Sequence, residues 1–243
     1  MIKKSQLAIA LGLALASGFA NAAPIQLITN GGFESAFVGW AVTDLAGSSG
    51  TWFIDDADGF TPSSAQATVG PASGSFYAVT DQGGPGTHVL EQSFFVPVGV
   101  TSVFLSFDMF MNDWDSGPIV DPAGLDHTAG PNQHARIDIM SASAGAFSTA
   151  PVDIVANLVA PGVDAGVDPN VYTPYLFNLT GLVAGGTTYK LRFAEVDNQF
   201  FFNQGVDNVS ILADTGQVPE PATLALLGFG FAGMAFSKRR AKA

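Results

Sequence analysis

Short alternating runs of apolar residues occupy most of the chain and predict β-strands. The clearest run covers residues 103–111. One face carries Val103, Leu105, Phe107, Met109 and Met111, and the other carries Phe104, Ser106, Asp108 and Phe110. Such strict alternation is typical of a half-buried strand. The body of the chain has no long helical period, so the pattern predicts an all-β fold built as a sandwich.

The other predicted strands are rich in Val, Ile, Phe, Tyr and Thr and are bounded by Gly, Pro, Asp and Asn. They cover residues 26–29, 39–43, 51–54, 75–80, 89–96, 135–141, 172–179, 187–196 and 205–212. Residues 152–158 fit either a strand or a short helix. Two long connections, residues 112–133 and 162–170, separate strands, and connections of such length are often functional.

Residues 1–22 depart from this pattern and have the layout of a signal peptide. Two lysines precede an apolar stretch at residues 7–19, and Ala20-Asn21-Ala22 follows as a cleavage motif. This order predicts removal of a signal helix by signal peptidase between Ala22 and Ala23. The mature chain is therefore expected outside the cytoplasm.

The C-terminal end has a related plan. Pro219, Glu220 and Pro221 precede the charge-free residues 222–236, and Lys238-Arg239-Arg240 follows. As a helix this run spans about 22 Å, which is short of the roughly 30 Å of a bilayer core. Snorkelling of the basic side chains makes up part of the difference, so a single transmembrane helix is expected at about residues 222–237. The basic cluster places the C-terminus in the cytoplasm. The alternative is a buried C-terminal helix, which a run that is apolar all round fits less well.

In its three-part order, this tail resembles the PEP-CTERM protein-sorting domain. The similarity covers residues 218–240. The resemblance implies a bacterial substrate of an exosortase, a membrane-embedded transpeptidase-like enzyme, with processing near Pro219, Glu220 and Pro221. It also implies a transient stay in the inner membrane, followed by a place at the cell surface or in the extracellular matrix, with a link to exopolysaccharide or biofilm.

The charge of the chain is strongly asymmetric. Between the two targeting ends it carries 20 acidic residues and only three basic ones, Arg136, Lys190 and Arg192, which gives a formal charge of −17. Such a surface repels nucleic-acid phosphates, so nucleic acid is excluded as a partner. The three basic residues fall on the outward phase of their strands, where exposed cross-strand ion pairs worth under about 1 kcal/mol are expected. The chain has no cysteine, which excludes thiol catalysis.

The two ends of the body carry a second pair of motifs. They read Asn30-Gly31-Gly32-Phe33-Glu34 and Gly205-Val206-Asp207-Asn208-Val209-Ser210-Ile211. This pairing is similar to the first and last strands of galactose-binding-like jelly rolls, which include several carbohydrate-binding modules. The resemblance implies a jelly-roll sandwich with a structural calcium held by Glu34, Asp207 and backbone carbonyls. The alternative is that both acids cap the N–H groups of a turn. Residues 192–211 also resemble other exported PEP-CTERM proteins of undefined role.

A ligand site is expected where the clearest strand opens into the longest connection. Asp113, Trp114 and Asp115 lie there, and a tryptophan flanked by acids can stack on a sugar ring while the carboxylates accept from hydroxyls. The alternative is a tryptophan folded back onto the end of the sandwich. Residues 200–202 are three consecutive phenylalanines, which cannot all face one core. At least one is expected to be exposed or to lie under a neighbouring connection.

Other polar residues give weaker indications of a metal-binding or catalytic site. Residues 55–59, Asp-Asp-Ala-Asp-Gly, resemble a cation loop but lack the downstream glutamate of an EF-hand, so a solvated turn is the favoured interpretation. His88, His127 and His134 show no metal-ligand spacing. A carboxylate pair at a glycosidase separation cannot be read from spacing alone, so no catalytic residue is predicted.

Taken in chain order, the sequence predicts a signal peptide at 1–22, a jelly-roll-type β-sandwich at 23–212, a linker at 213–218 and a sorting and anchor segment at 219–240. The expected function is that of a non-enzymatic exported protein of the cell surface or extracellular matrix that binds polysaccharide. Two alternatives stay open. One is a secreted carbohydrate-active enzyme that uses paired carboxylates, and the other is a purely structural matrix component.

Overall fold

The structure is a computed structural model that describes residues 23–114, 124–159 and 167–216. The predicted signal peptide and the expected membrane helix at about residues 222–237 lie outside these ranges. The described chain contains no helix with the length and hydrophobicity needed to cross a bilayer. Contacts gather Pro24–Ala213 into one compact unit.

The described part of the chain forms eleven β-strands. They are β1 (Ile25–Gln26), β2 (Ala41–Asp44), β3 (Thr51–Asp55), β4 (Tyr77–Asp81), β5 (Gly86–Val96), β6 (Ser102–Asp113), β7 (Gln133–Ser141), β8 (Ile154–Val159), β9 (Thr173–Asn178), β10 (Thr187–Asp197) and β11 (Phe202–Asp214).

These strands form two antiparallel sheets that face each other across a common core. The first sheet has the order β3-β4-β11-β6-β9, with β1 paired to the C-terminal part of β11. The second has the order β2-β5-β10-β7-β8. Of the connections between these eleven strands, β3–β4 and β7–β8 stay within one sheet, and each of the others crosses from one sheet to the other. The jelly-roll-type sandwich predicted from the sequence is therefore confirmed.

Predicted and observed strands coincide closely. Every predicted strand overlaps an observed one, and the ambiguous residues 152–158 overlap strand β8, which pairs with β7 at the edge of the second sheet. β6 continues to Asp113 and β11 continues to Asp214. Strand structure thus extends into the beginning of the predicted long connection and of the predicted linker.

Aromatic side chains fill the space between the sheets. Phe107 is buried there and meets the ring of Phe193 edge to face, with centroids 5.1 Å apart. The alternation predicted for β6 is confirmed at its core-facing positions. Phe110 belongs to the opposite phase but is also buried, because Tyr77 and Tyr172 pack against it in a separate cluster.

Arg192 lies on the outer face of the second sheet, but another part of the chain covers this face at Arg192. The prediction that the ion pair of Arg192 is exposed is therefore wrong. The connection between β7 and β8 folds over this face, and the Arg192 guanidinium donates to the carbonyl oxygens of Ala146 at 2.6 Å and Ser148 at 2.9 Å. Its carboxylate partner is Asp138, directly opposite on β7. The predicted cross-strand pairing is confirmed, but both side chains are fully buried.

Candidate ligand-binding site

Two connections lie side by side at one end of the sandwich and border a half-open cavity of about 200 Å³. The β4–β5 connection contributes Gly83, Gly84 and Pro85 to its wall, and the end of β10 with the following connection contributes residues 197–201. Ligand sites are commonly concave spaces of this kind, in which apolar rings and a few polar groups converge. The two stretches are far apart in the sequence and meet only through the sheet topology.

The β10–β11 connection is fixed by hydrogen bonds to the segment around the start of β7. The backbone amides of Gln199 and Phe200 both donate to Gln133 Oε1, at 3.0 and 3.1 Å. Asn198 Nδ2 donates to two carbonyl oxygens of residues 127–130, at 2.8 and 2.6 Å. Because these polar groups are already paired within the protein, this wall of the cavity is preformed.

The three consecutive phenylalanines have three different environments. Phe200 is 51% exposed, Phe201 is half-buried and Phe202 is fully buried. The rings of Phe200 and Phe201 meet edge to face with centroids 4.9 Å apart. Of the two alternatives that the sequence leaves open, exposure or cover by a neighbouring connection, exposure holds for Phe200, which supplies an apolar rim to the cavity.

Trp114 lies against the same connection. Its backbone N–H donates to the carbonyl oxygen of Phe201 at 3.0 Å, and its indole Nε1 donates to Asn203 Oδ1 at 3.2 Å. The ring is half-buried. These bonds hold Trp114 against the end of the sandwich, next to Phe201, which lines the cavity. Its predicted role of stacking on a sugar ring stays a prediction.

Asp113 does not reach the surface, so the predicted role of accepting from sugar hydroxyls does not suit it. Its side chain follows the inward phase of β6 and is 4% exposed. Its Oδ1 accepts from Gln133 Nε2 at 2.7 Å, and Gln133 in turn holds the β10–β11 connection. Asp115, the third residue of the predicted site, lies outside the described residues.

Two further acids lie inside the sandwich next to the cavity. Glu195 and Asp197 continue the inward phase of β10 that Phe193 belongs to, and they are 0% and 3% exposed. Gln82 Nε2 lies between them and donates to Glu195 Oε1 at 3.1 Å and to Asp197 Oδ2 at 2.7 Å. Neither acid is among the predicted site residues. Their position in the core phase of a strand is the sequence signal that points to them.

Burial changes the acid–base properties of both carboxyl groups. Desolvation raises the pKa of Asp197 to about 7, and the negative charge of Asp113 adds to the rise. Desolvation also raises the pKa of Glu195 well above its ordinary value, and the charge of Asp197 is the second cause. A perturbed acid in the wall of a cavity is typical of functional sites.

Glu34 and Asp207 are brought together on one short segment, residues 72–76. Glu34 Oε1 accepts from two backbone amides of this segment, at 2.7 and 3.1 Å, and Asp207 Oδ2 accepts from the amide of Ser73 at 2.9 Å. This is the capping arrangement that the sequence offers as the alternative to calcium. A calcium ion here would compete with these N–H groups, and it would need further oxygen ligands to reach its usual coordination of about six to eight.

The acids of residues 55–59 form a turn that satisfies its own polar groups. Oxygen atoms of Asp55, Asp56 and Asp58 lie within 4.8 Å of one another. Asp55 is buried and accepts from the hydroxyl of Tyr77 at 2.6 Å. Asp56 and Asp58 each accept from the backbone amide two residues further on. These contacts are those of the turn that the sequence favours.

The solved structures to which this chain is similar share little sequence identity with it. TmCBM61 in complex with beta-1,4-galactotriose is 12% identical, with a TM-score of 0.47 over 78% of this chain and 99% of its own. The Stig cyclase Fisc from Fischerella sp. TAU is 14% identical, with a TM-score of 0.46 over 80% and 100%. The K3 adhesin domain of Lys-gingipain from Porphyromonas gingivalis W83 is 14% identical, with a TM-score of 0.45 over 79% and 98%. No curated protein matches the chain.

The C-terminal segment gives a match of a different kind. Residues 217–240 match the PEP-CTERM protein-sorting motif. This range contains the proline-rich start, the apolar run and the basic cluster that together form the resemblance in the sequence. The chain therefore carries a PEP-CTERM sorting signal, which marks it as an exported protein that is sorted at the cell envelope.

Proposed function

We propose that this protein is a non-enzymatic component of the bacterial cell surface or extracellular matrix that binds polysaccharide at the cavity beside the β10–β11 connection. The observation that carries this proposal is the combination of an exposed aromatic ring, Phe200, with a preformed cavity wall. Sugar rings present an apolar face and a rim of hydroxyls, which suits a site that offers an aromatic ring and polar groups together.

Removal of the exposed ring should weaken binding without weakening the fold. We expect Phe200→Ala to raise the Kd for the bound polysaccharide about tenfold, since a lost aromatic contact of about 1.4 kcal/mol corresponds to that factor. Phe95→Ala is the matched control, because Phe95 is 53% exposed but does not line the cavity. Binding is measured on a glycan array and by calorimetry with matrix polysaccharide, using the body, residues 24–216.

Other outcomes of this experiment select the alternatives. Release of reducing ends from the polysaccharide would identify a carbohydrate-active enzyme. Self-association of the body with no glycan bound would favour a purely structural matrix component. Equal Kd values for Phe200→Ala and Phe95→Ala would show that polysaccharide does not bind at the cavity.

The finer steps of sorting are also part of the proposal. Signal peptidase cleaves between Ala22 and Ala23, the tail anchors the body transiently in the inner membrane with the C-terminus in the cytoplasm, and an exosortase processes the chain near Glu220. In cells that lack the sorting protease, we expect the full tail to persist in the membrane fraction. Intact mass and fractionation measure this, and recovery of the unprocessed chain in the cytosol would contradict it.

Calcium at Glu34 and Asp207 stays a prediction. If the two acids hold the ion, a chelator at constant ionic strength should lower the melting temperature of the body, and Glu34→Gln should abolish that response. A melting temperature that the chelator leaves unchanged would restrict the two acids to capping the amides of residues 72–76.

A further inference from the structure

Three oxygen atoms converge on one amide nitrogen inside the sandwich. Gln82 Nε2 lies 3.1 Å from Glu195 Oε1, 2.7 Å from Asp197 Oδ2 and 2.8 Å from the carbonyl oxygen of Phe202. An amide nitrogen has only two hydrogens. The position between these oxygens is therefore rich in acceptors, and it is buried, since Gln82 is 1% exposed.

Two polar atoms of this cluster have no hydrogen-bond partner. They are Oε1 of Gln82 and Oε2 of Glu195. Both side chains are 0–1% exposed. Unpaired buried acceptors of this kind are costly, and each of these atoms is an oxygen. The cluster therefore lacks a hydrogen-bond donor or a cation that these oxygen atoms could bind.

The described basic side chains do not balance the charge of this cluster. Arg136 and Arg192 pair with Asp138, and Lys190 pairs with Glu91. These side chains belong to the outward phase of the second sheet, whereas Glu195 belongs to the inward phase.

His88 lies opposite Glu195 in the register of β5 and β10, but its Nδ1 is 2.7 Å from Asp44 Oδ1. Burial lowers the pKa of His88 despite this partner. The carboxylates of Asp197, Asp44 and Asp81 all act to raise the pKa of Glu195. Among the residues that the structure describes, the Lys and Arg side chains therefore pair with other acids and leave this acidic cluster without a cationic partner.

We propose that this cluster is a calcium site, with Glu195, Asp197, the carbonyl oxygen of Phe202 and the side-chain oxygen of Gln82 as ligands. Rotation of the Gln82 amide places Oε1 among the other oxygens in place of Nε2 and gives its unpaired oxygen a partner. Carboxylate, amide and backbone oxygens are the ligands that calcium takes in proteins. Asp197 also lines the cavity, which supplies the route by which the ion enters and by which water completes its coordination.

The experiment measures calcium binding and melting in a chain whose other candidate acids are disabled. The body, residues 24–216, carrying Glu34→Gln is studied at pH 8, with CaCl₂, with MgCl₂ and with a chelator. We expect calcium to raise the melting temperature by about 3 °C or more and calorimetry to show one bound ion. Magnesium should have little effect, because it demands a strict octahedral geometry and releases its water reluctantly.

Two isosteric substitutions identify the ligands. Added to Glu34→Gln, Glu195→Gln should abolish the calcium response, because it replaces a carboxylate ligand with a neutral amide. Asp197→Asn should likewise abolish binding, and it serves as the second variant if the first does not fold. Absence of calcium binding by the Glu34→Gln chain, or a calcium response that survives both substitutions, overturns the proposal.

Discussion

Replacing Asp138 with alanine should destabilise the body by about 3–5 kcal/mol, the cost of leaving a buried charge without its partner. Asp138 and Arg192 are both 0% exposed, and the Asp138 carboxylate also accepts from Arg136. Removal of the carboxylate leaves the Arg192 guanidinium enclosed, with only carbonyl oxygens to face it. Urea unfolding followed by tryptophan fluorescence measures the change, since Trp40 and Trp52 are buried in the core.

The partly exposed pair of Lys190 and Glu91 provides the control. Its side chains are 17% and 15% exposed, and Glu91→Gln should cost about 1 kcal/mol or less. Combining Asp138→Ala with Arg192→Met should recover part of the lost stability, because the unpaired charge is then removed as well. Equal effects of Asp138→Ala and Glu91→Gln would show that the cover over Arg192 is open in solution.

The same carboxylate predicts a pH dependence. Burial acts to raise the pKa of Asp138, but the hydrogen bond from Arg136 and the charge of Arg192 outweigh it, so the pKa is lowered. A carboxyl group with a lowered pKa in the folded state stabilises the protein above its unfolded pKa, and this contribution is lost as the pH falls through the folded value. Wild-type stability should therefore fall in acid, and the Asp138→Ala variant should show a smaller fall.

Gly50→Ala should cost about 3 kcal/mol, from two independent effects. Gly50 has a φ of +79°, a conformation that costs an L residue about 1–2 kcal/mol. An added Cβ would also lie 2.1 Å from the backbone oxygen of Asp81, so strands β3 and β4 would have to separate where Thr51 pairs with Asp81. Chemical denaturation of the two proteins measures the difference.

Gly59 separates the two effects. Its φ is +86°, but an added Cβ would meet nothing within 4 Å, so Gly59→Ala should cost only the conformational part, about 1–2 kcal/mol. If both variants lose the same stability, the close approach of Gly50 to β4 contributes nothing and the prediction is wrong.

The strands could be predicted from the sequence because alternation along one strand is a local property. Residues 103–111 show it with the clearest phase, and β6 follows that phase. Burial on the outer face could not be predicted in the same way. Arg192 lies on the outward phase of β10, and only the folded position of the β7–β8 connection encloses it. That cover depends on contacts between residues about 45 positions apart, which periodicity does not encode.

The candidate site could be predicted only in part. Three consecutive rings cannot all be buried on one side, so the sequence predicts that one of residues 200–202 is exposed or lies under a neighbouring connection. It does not decide between the two. The cavity does not follow, because its second wall, Gly83 to Pro85, comes from a distant connection. Asp113 shows a different limit: its strand continues beyond Met111, so a residue expected in a loop is turned inward. Glu195 and Asp197 are the opposite case, since the core phase of β10 already indicates that they are buried.

Strand β11 is the last strand in chain order, yet it occupies an interior position in the first sheet, between β4 and β6. The strands of that sheet that precede it therefore cannot complete their pairing until residues 202–214 are available. A body truncated before residue 202 would leave the facing edges of β4 and β6 without their partner strand.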